Sequence, residues 1–330
     1  MRRRDFISLV GGIAVTWPLV AQAQQPERLR RLGVLSSLAE TDTEAQAWDA
    51  AFRKRLAELR WIDGRSVHID YRWGAGSVDR MRLFARELVQ LNPDALVSIS
   101  TPATAALQAE TRTIPIVFAW VSDPIGSGFV SSLAHPGGNI TGFLNIEASV
   151  VGKWLSLMRE MAPQVSRIGF MYNPQTAPYA RYYLDTFRAA SQALAIEAID
   201  APVHGTEDVE AIMTKLGGES GAGLFVMSDT SMLVYRKTIY SLAERYRLPT
   251  IYPYRVFAAE GGLMSYGVDV ADLLRGAADY IDRILRGEKP NELAVQQPTR
   301  FELVVNVKTA KMLGLAIPTS IFVAAQEMIE

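Results

Sequence analysis

The chain contains no cysteine. That absence excludes disulfides, thiolate metal ligands, a cysteine nucleophile and a lipid-modified cysteine at a processing site. Charge of one sign is lacking too: 34 basic residues stand against 35 acidic ones over 330 residues, a formal net charge of −1. Such a balance offers no electrostatic footprint for nucleic acid or an anionic membrane. The three histidines, His68, His135 and His204, have no metal-ligand spacing, so no metal is expected. No G-x-G-x-x-G follows a strand, and neither G-x-x-x-x-G-K-[ST] nor G-x-S-x-G occurs. Gly217-Gly218-Glu219-Ser220-Gly221 lies between a helix and a strand, the wrong order for a phosphate cradle, and reads as a loop. No catalytic residue and no cofactor is assigned, and the chain reads as a non-enzyme.

Long hydrophobic runs are also missing: no stretch reaches 18 uninterrupted apolar residues, so no transmembrane helix is expected. The start of the chain is the nearest approach. Met1-Arg2-Arg3-Arg4-Asp5 is followed by an apolar run from Ile7 to Val20, broken by Gly11, Gly12 and Pro18, and then by Ala21-Gln22-Ala23. A basic start, a short apolar segment and an Ala-x-Ala site make a secretory signal over residues 1–23. Arg3-Arg4-x-Phe6-Ile7 also matches the twin-arginine variant. An N-terminal membrane anchor is the alternative. Cleavage after Ala23 removes three arginines and one aspartate, leaving 31 basic and 34 acidic residues on about 307 positions, enough for two domains. The expected location is the periplasm.

Apolar runs and amphipathic stretches alternate through the rest. Strands are predicted at 31–36, 67–71, 95–99 and 116–120, with helices at 42–59, 79–91 and 103–110 between them. Pro124, Pro136 and glycines 126, 128, 137, 138 and 142 interrupt the pattern. It resumes with helices at 150–161, 179–194, 209–216, 232–246 and 271–285, and strands at 167–172, 196–201, 223–227, 250–252 and 263–266. This is an α/β chain of two similar halves, each a parallel sheet flanked by helices, joined through the Gly/Pro-rich segment with a cleft between. The tail elements complete both halves, so about three crossovers are expected.

Ligands of open α/β sheets sit beyond the carboxyl ends of the strands. At Ser98-Ile99-Ser100-Thr101-Pro102, Thr101 is the expected N-cap, and the helix N-terminus with Ser100 and Thr101 can seat a carboxylate or be capped and nothing more. Trp120 stacks on a ligand or belongs to the core. Ser122 sits beside it, and Asp123 before Pro124 reads as a turn residue. In the second half Asp229 either caps the next helix or faces the cleft to pair with an ammonium group. Ser228, Thr230 and Ser231 surround it, and the hydroxyls of Thr230 and Ser231 can take over the cap and free the carboxylate. Asn173, Tyr252, Tyr254 and Tyr266 stand at or after other strand ends, and tyrosine suits binding more than catalysis.

Pro115-Ile116-Val117-Phe118-Ala119-Trp120-Val121-Ser122-Asp123-Pro124 and Ser132-Leu133-Ala134-His135-Pro136-Gly137-Gly138-Asn139-Ile140-Thr141-Gly142 resemble the signature of one family. Gly261-Gly262-Leu263-Met264-Ser265-Tyr266-Gly267, Pro298–Asn306 and Thr309–Leu315 are similar to its later motifs. It is the ABC-transporter substrate-binding protein family that includes tryptophan- and tyrosine-binding members. The resemblance runs from about Leu32 to the C-terminus. It implies a type I periplasmic-binding-protein fold with a ligand trapped between hinged lobes. The boundaries expected are 24–143 plus 267–298 for one lobe and 144–266 plus 299–330 for the other, with a hinge near Thr141–Ile146. By fold-level analogy, Ser100, Thr101 and Ser122 would hold a ligand carboxylate and Asp229 its amino group. The implied protein is a monomer that captures a small molecule, most simply an aromatic or apolar amino acid, for an ABC permease with a cytoplasmic ATPase. A nucleobase, an aromatic acid, a sensor role and a secreted α/β enzyme are the alternatives.

Overall fold

The run Leu32-Gly33-Val34-Leu35 has no polar residue to turn toward water, and the strand it forms is buried on both faces. In the computed structural model, which describes residues 29–330, this strand β1 (Arg30–Ser36) leads to α1 (Thr43–Glu58). The Asp42 carboxylate caps α1 by accepting from the Glu44 and Ala45 amides. There follow β2 (Val67–Trp73), α2 (Val78–Gln90), β3 (Ala95–Ile99), α3 (Thr101–Glu110), β4 (Ile116–Val121) and β5 (Ile140–Leu144). All five strands are parallel, in the order β2-β1-β3-β4-β5. The signal segment 1–23 lies outside the described residues.

β5 corrects the sequence reading. The Gly/Pro-rich stretch is not the join between the halves; it loops over the first sheet and returns the chain to pair with β4. Gly142 makes that return possible. Its φ is +152°, and a Cβ there would lie 2.0 Å from the Phe118 carbonyl oxygen. The chain leaves this lobe only after Leu144.

The second lobe comprises α4 (Val150–Met161), β6 (Arg167–Tyr172), α5 (Ala180–Ala193), β7 (Glu197–Pro202), α6 (Thr206–Gly217), β8 (Ala222–Val226), α7 (Thr230–Val234), α8 (Arg236–Arg245), β9 (Thr250–Tyr252), α9 (Arg255–Ala259) and β10 (Met264–Gly267). The helix predicted at 232–246 is in fact two, α7 and α8, broken at Tyr235 (φ −88°, ψ 2°). The chain then returns to the first lobe as α10 (Val270–Leu285), which packs on α1, β3, β4 and β5. Gln296 completes this visit: its carbonyl accepts from the Leu144 amide and its amide donates to Gly142. A last crossing delivers β11 (Glu302–Asn306), α11 (Val307–Met312), α12 (Thr319–Ala324) and β12 (Glu327–Ile329) to the second sheet. That sheet runs β12-β11-β10-β9-β8-β6-β7 and is parallel except for the antiparallel pair β10–β11. Three crossings link the two sheets, and the C-terminal ends of both face one cleft. Among the described residues no helix is long and apolar enough to cross a membrane.

Each lobe has a core cluster of its own, and a third cluster is built from both lobes. Trp48 and Trp120 meet edge to face at 5.1 Å, Trp120 and Tyr254 at 5.9 Å, and Tyr254 and Phe257 are 6.5 Å apart, so an aromatic path runs from lobe to lobe.

Two glycines test the backbone argument. Gly142→Ala is expected to cost about 2 kcal/mol or more, since the new methyl meets a fixed carbonyl. Gly152→Ala, inside α4 with nothing within 4 Å of the added carbon, is expected to stabilise by about 0.5–1 kcal/mol. Urea unfolding of the two variants checks the signs; a harmless Gly142→Ala would contradict the close approach.

Candidate functional site

Among the described residues, eight non-glycine positions have positive φ. Four of them, Arg60, Asn92, Ala195 and Arg247, follow helix C-termini, where that conformation is common. Three others gather at the carboxyl ends of β3 and β4: Ser100 (φ 111°), Trp120 (φ 59°) and Asp123 (φ 44°). A bulky residue in this region is strained by about 1–3 kcal/mol, and such strain concentrates where ligands are held.

Local hydrogen bonds show what holds the strand ends. Ser100, not Thr101, caps α3; its hydroxyl accepts from the Ala103 amide at 3.3 Å. Thr101 is already helical, and its hydroxyl accepts from the Ser122 amide at 3.2 Å, tying the end of β3 to that of β4. The Asp123 carboxylate accepts from the Gly126 amide at 2.8 Å, the turn role expected of it.

Between the lobes lies a seam of polar atoms belonging to both. The Ser122 hydroxyl donates to Asn145 Oδ1 at 2.8 Å, and Asn145 Nδ2 donates to Ser228 Oγ at 2.7 Å and to the Tyr254 hydroxyl at 3.1 Å. Trp120 Nε1 donates to the same phenol, which also bonds Ser228 Oγ. None of these five residues is more than 3% exposed. Burial pushes the Tyr254 hydroxyl up to about 12, so it stays neutral and can both donate and accept. A second interlobe bond joins Ser37 Oγ and Thr230 Oγ1 at 3.0 Å. Asn145 and Ser37 were not picked out from the sequence. For Asn145 the available signal was one amide in the run Phe143-Leu144-Asn145-Ile146, directly after a strand.

Asp229 behaves differently from the expectation that its neighbours free it. It caps α7 itself, accepting from the Ser231 amide at 3.0 Å, while its other oxygen accepts from the Asn173 amide at 2.7 Å and Thr176 adds a hydroxyl donor. Both carboxylate oxygens are thus engaged within one lobe. Ser231 turns its hydroxyl to Thr176 and Thr230 reaches across to Ser37, so neither takes over the cap. The physical reason is geometric: Asp229 is in extended conformation (φ −152°, ψ 140°), as an N-cap must be. Burial raises its pKa to about 6, against the three donors that favour the charged form.

Two tyrosines are not brought to the seam. Tyr252 is 1% exposed and stacks on Phe257 at 5.0 Å inside its own lobe. Tyr266 stacks on Phe301 at 5.6 Å, and its carbonyl accepts from Trp154 Nε1. Asn173 holds a turn, its side chain accepting from the Gln175 amide at 2.8 Å. Beside the seam a cavity of about 650 Å³ opens between the lobes. Thr101, Pro102 and Asp123 line it from one lobe and Gln175, Tyr179 and Tyr182 from the other. Among the described residues no group of three or more acidic or histidine side chains is placed to hold a metal.

Two sheets linked by three chain crossings, with positive-φ strand ends and convergent polar groups where they meet, define a two-lobed ligand-binding protein. A family model of ABC transporter substrate binding proteins matches residues 38–329, and the chain belongs to that family. It is similar to the tyrosine-binding protein of Clostridioides difficile (strain R20291), 25% identical over 267 residues that cover 80% of this chain and 75% of that one. Among solved structures, an ABC domain in complex with L-Trp from Streptococcus pneumonia gives a TM-score of 0.85 at 25% identity, covering 91% of this chain and all (100%) of the other. A conserved domain protein from Vibrio cholerae gives 0.85 at 26% identity, with 91% and 100% covered. The family is one of substrate-binding proteins rather than enzymes.

The Asp229 carboxyl has a pH signature. Its pKa in the fold, about 6, lies above the 3.8 of an ordinary aspartate. The folded state therefore holds the proton more tightly, and the stability this gives is complete below about pH 4 and lost as pH rises through 6. Relative to Asp229→Asn, which cannot titrate, the wild type should lose up to about 3 kcal/mol between pH 4 and 7. Urea unfolding of both proteins at several pH values measures it; a constant difference would mean an unshifted carboxyl.

Proposed function

We propose that this protein captures an aromatic or other apolar amino acid between its lobes and delivers it to an ABC permease powered by a cytoplasmic ATPase. The observation that carries this reading is the seam, where Ser122 of one lobe and Ser228 and Tyr254 of the other converge on Asn145 and Trp120 donates to the Tyr254 hydroxyl. A ligand reaching that point touches both lobes at once, and its binding energy then favours the closed arrangement over the open one. The hydroxyls of Ser100 and Thr101 at the start of α3, with Ser122 beside them at the end of β4, suit a carboxylate. Tyr179 and Tyr182 bring aromatic rings to the cavity beside the seam. The amino-acid class is supported by the relatives, one a tyrosine-binding protein and one solved with L-Trp.

The lobes of this proposal are the expected 24–143 plus 267–298 and 144–266 plus 299–330, hinged near Thr141–Ile146, except that Leu144 belongs with β5 of the first lobe and Gly267 with β10 of the second. The protein works in the periplasm as a monomer, exported by its N-terminal signal with the twin-arginine route open to it. A second reading has a specific observation behind it. Both oxygens of Asp229 are engaged inside one lobe, which leaves that carboxylate without an evident vacancy for an ammonium group. A nucleobase or an aromatic acid, needing no such partner, fits that arrangement. A sensor that hands the same ligand to a receptor differs only in its partner.

Calorimetric titration with tyrosine, tryptophan, phenylalanine, nucleobases and aromatic acids separates the ligand classes. The proposal expects an aromatic amino acid to bind and the radius of gyration to shrink on binding. Asn145→Ala is expected to weaken that affinity by roughly tenfold or more, the worth of about 1.4 kcal/mol of lost hydrogen bonding. Binding of a nucleobase or aromatic acid alone would establish the second reading instead.

A further inference from the structure

Where the loop after β1 faces α7 and α8, the two lobes exchange charge. Arg236 of the second lobe donates through Nη1 to Asp42 Oδ2 of the first at 2.7 Å, and through Nε to Glu260 Oε2 of its own lobe at 2.9 Å. The same Nη1 donates to the Leu233 carbonyl at 2.8 Å. The side chains are largely shielded from water: Arg236 is 9% exposed and Asp42 14%. Glu44 lies beside them, its carboxyl pushed up by its own burial and by the neighbouring Asp42.

The place of this pair in the fold matters more than its strength. Asp42 follows β1, which lies three positions from β5, the strand through which the chain leaves the lobe. At about 4.8 Å per strand, that is a lever arm of about 14 Å. A domain rotation of about 15° then moves the two groups apart by about 4 Å, enough to break the contact. Neither side would be left unsatisfied within its lobe. Asp42 keeps the α1 cap through its other oxygen, and Arg236 keeps Glu260 and Leu233.

We infer that Asp42 and Arg236 form an ionic latch that exists only when the lobes are closed and sets the closed fraction before ligand arrives. The inference rests on hinge closure as the working motion. Since apparent affinity scales with the fraction of molecules already competent, the latch tunes ligand retention from outside the ligand site. The pair acts through the hinge, so Asp42 and Arg236 are positioning residues. Opening returns both ions to solvent, where added salt stabilises them, so salt favours the open state, an effect that a purely apolar junction lacks.

The chain's lack of cysteine allows clean labelling. Arg65→Cys on one lobe and Lys215→Cys on the other, both exposed, carry a fluorophore pair whose transfer efficiency reports the closed-to-open ratio. Without added amino acid, Asp42→Asn is expected to lower that ratio roughly 5- to 150-fold. The amide still caps α1, so the fold is kept. Arg236→Gln should do the same and Arg236→Lys should recover part of the loss. Raising salt from about 0.02 M to about 1 M should lower the ratio in the wild type and hardly change it in Asp42→Asn. An Asp42→Asn protein with the wild-type ratio at both salt levels overturns the latch, even if saturating L-tryptophan still closes the wild type. If L-tryptophan closes nothing while Asp42→Asn opens the lobes, the latch stands and the amino-acid proposal falls.

Discussion

The contact between Trp120 and Tyr254 is the constraint on which the rest of the cleft depends. It needs Trp120 at φ 59°, a conformation a large side chain adopts only when its surroundings over-determine it. Those surroundings are Trp48 edge-on at 5.1 Å on one side and the Tyr254 phenol, hydrogen-bonded to the indole, on the other. The strain of about 1–3 kcal/mol is offset by burying an indole that is only 2% exposed. Once Trp120 is fixed, Ser122 is placed against Asn145, and Asn145 against Ser228 and Tyr254. A chain leaving β5 at Leu144 thus delivers its next residue to a position from which one amide serves both lobes.

Two kinds of force meet at this interface, and they respond to conditions differently. The aromatic path and the seam are buried and neutral, so they depend little on salt. Around them stand charged groups with distinct duties. Asp229 supports one lobe from within, accepting three donors that would otherwise be orphaned in a buried turn and helix start. Arg236 faces outward from the same lobe toward Asp42 of the other. The first carboxylate stabilises a loop that lines the cleft; the second lies where only the relative position of the lobes matters.

The α/β alternation was legible because each buried strand is a short unbroken apolar run and each surface helix has one apolar face, as at Leu32–Leu35 and at Ala45, Trp48, Phe52 and Leu56. β5 was not, since Gly142 and the prolines before it look like a loop until the approach to Phe118 is seen. The break at Tyr235 was hidden for a related reason: α7 and α8 share one apolar periodicity. Among the residues read as site candidates from strand ends, the structure brings Trp120, Ser122, Ser228 and Tyr254 into the interlobe seam, while Thr101 is bonded to Ser122 and Thr230 to Ser37. Which way a side chain turns is set by tertiary partners. Tyr252 found Phe257 and Tyr266 found Phe301, each burying a ring within its own lobe. Asp229 kept the cap because its backbone is extended there, a property that residue type alone does not decide.

The central claim is that Trp120 and Tyr254 act as one junction through which ligand binding is coupled to lobe closure. A double-mutant cycle of Trp120→Phe and Tyr254→Phe, read by calorimetric affinity for the tightest ligand of the panel, tests it most directly. Each change keeps an aromatic ring; Trp120→Phe removes the indole donor, and Tyr254→Phe removes the hydroxyl that accepts from it and also bonds Asn145 and Ser228. The account predicts that the double variant loses no more affinity than the worse single variant, a coupling of about 1 kcal/mol or more. Additive losses from the two singles would contradict it.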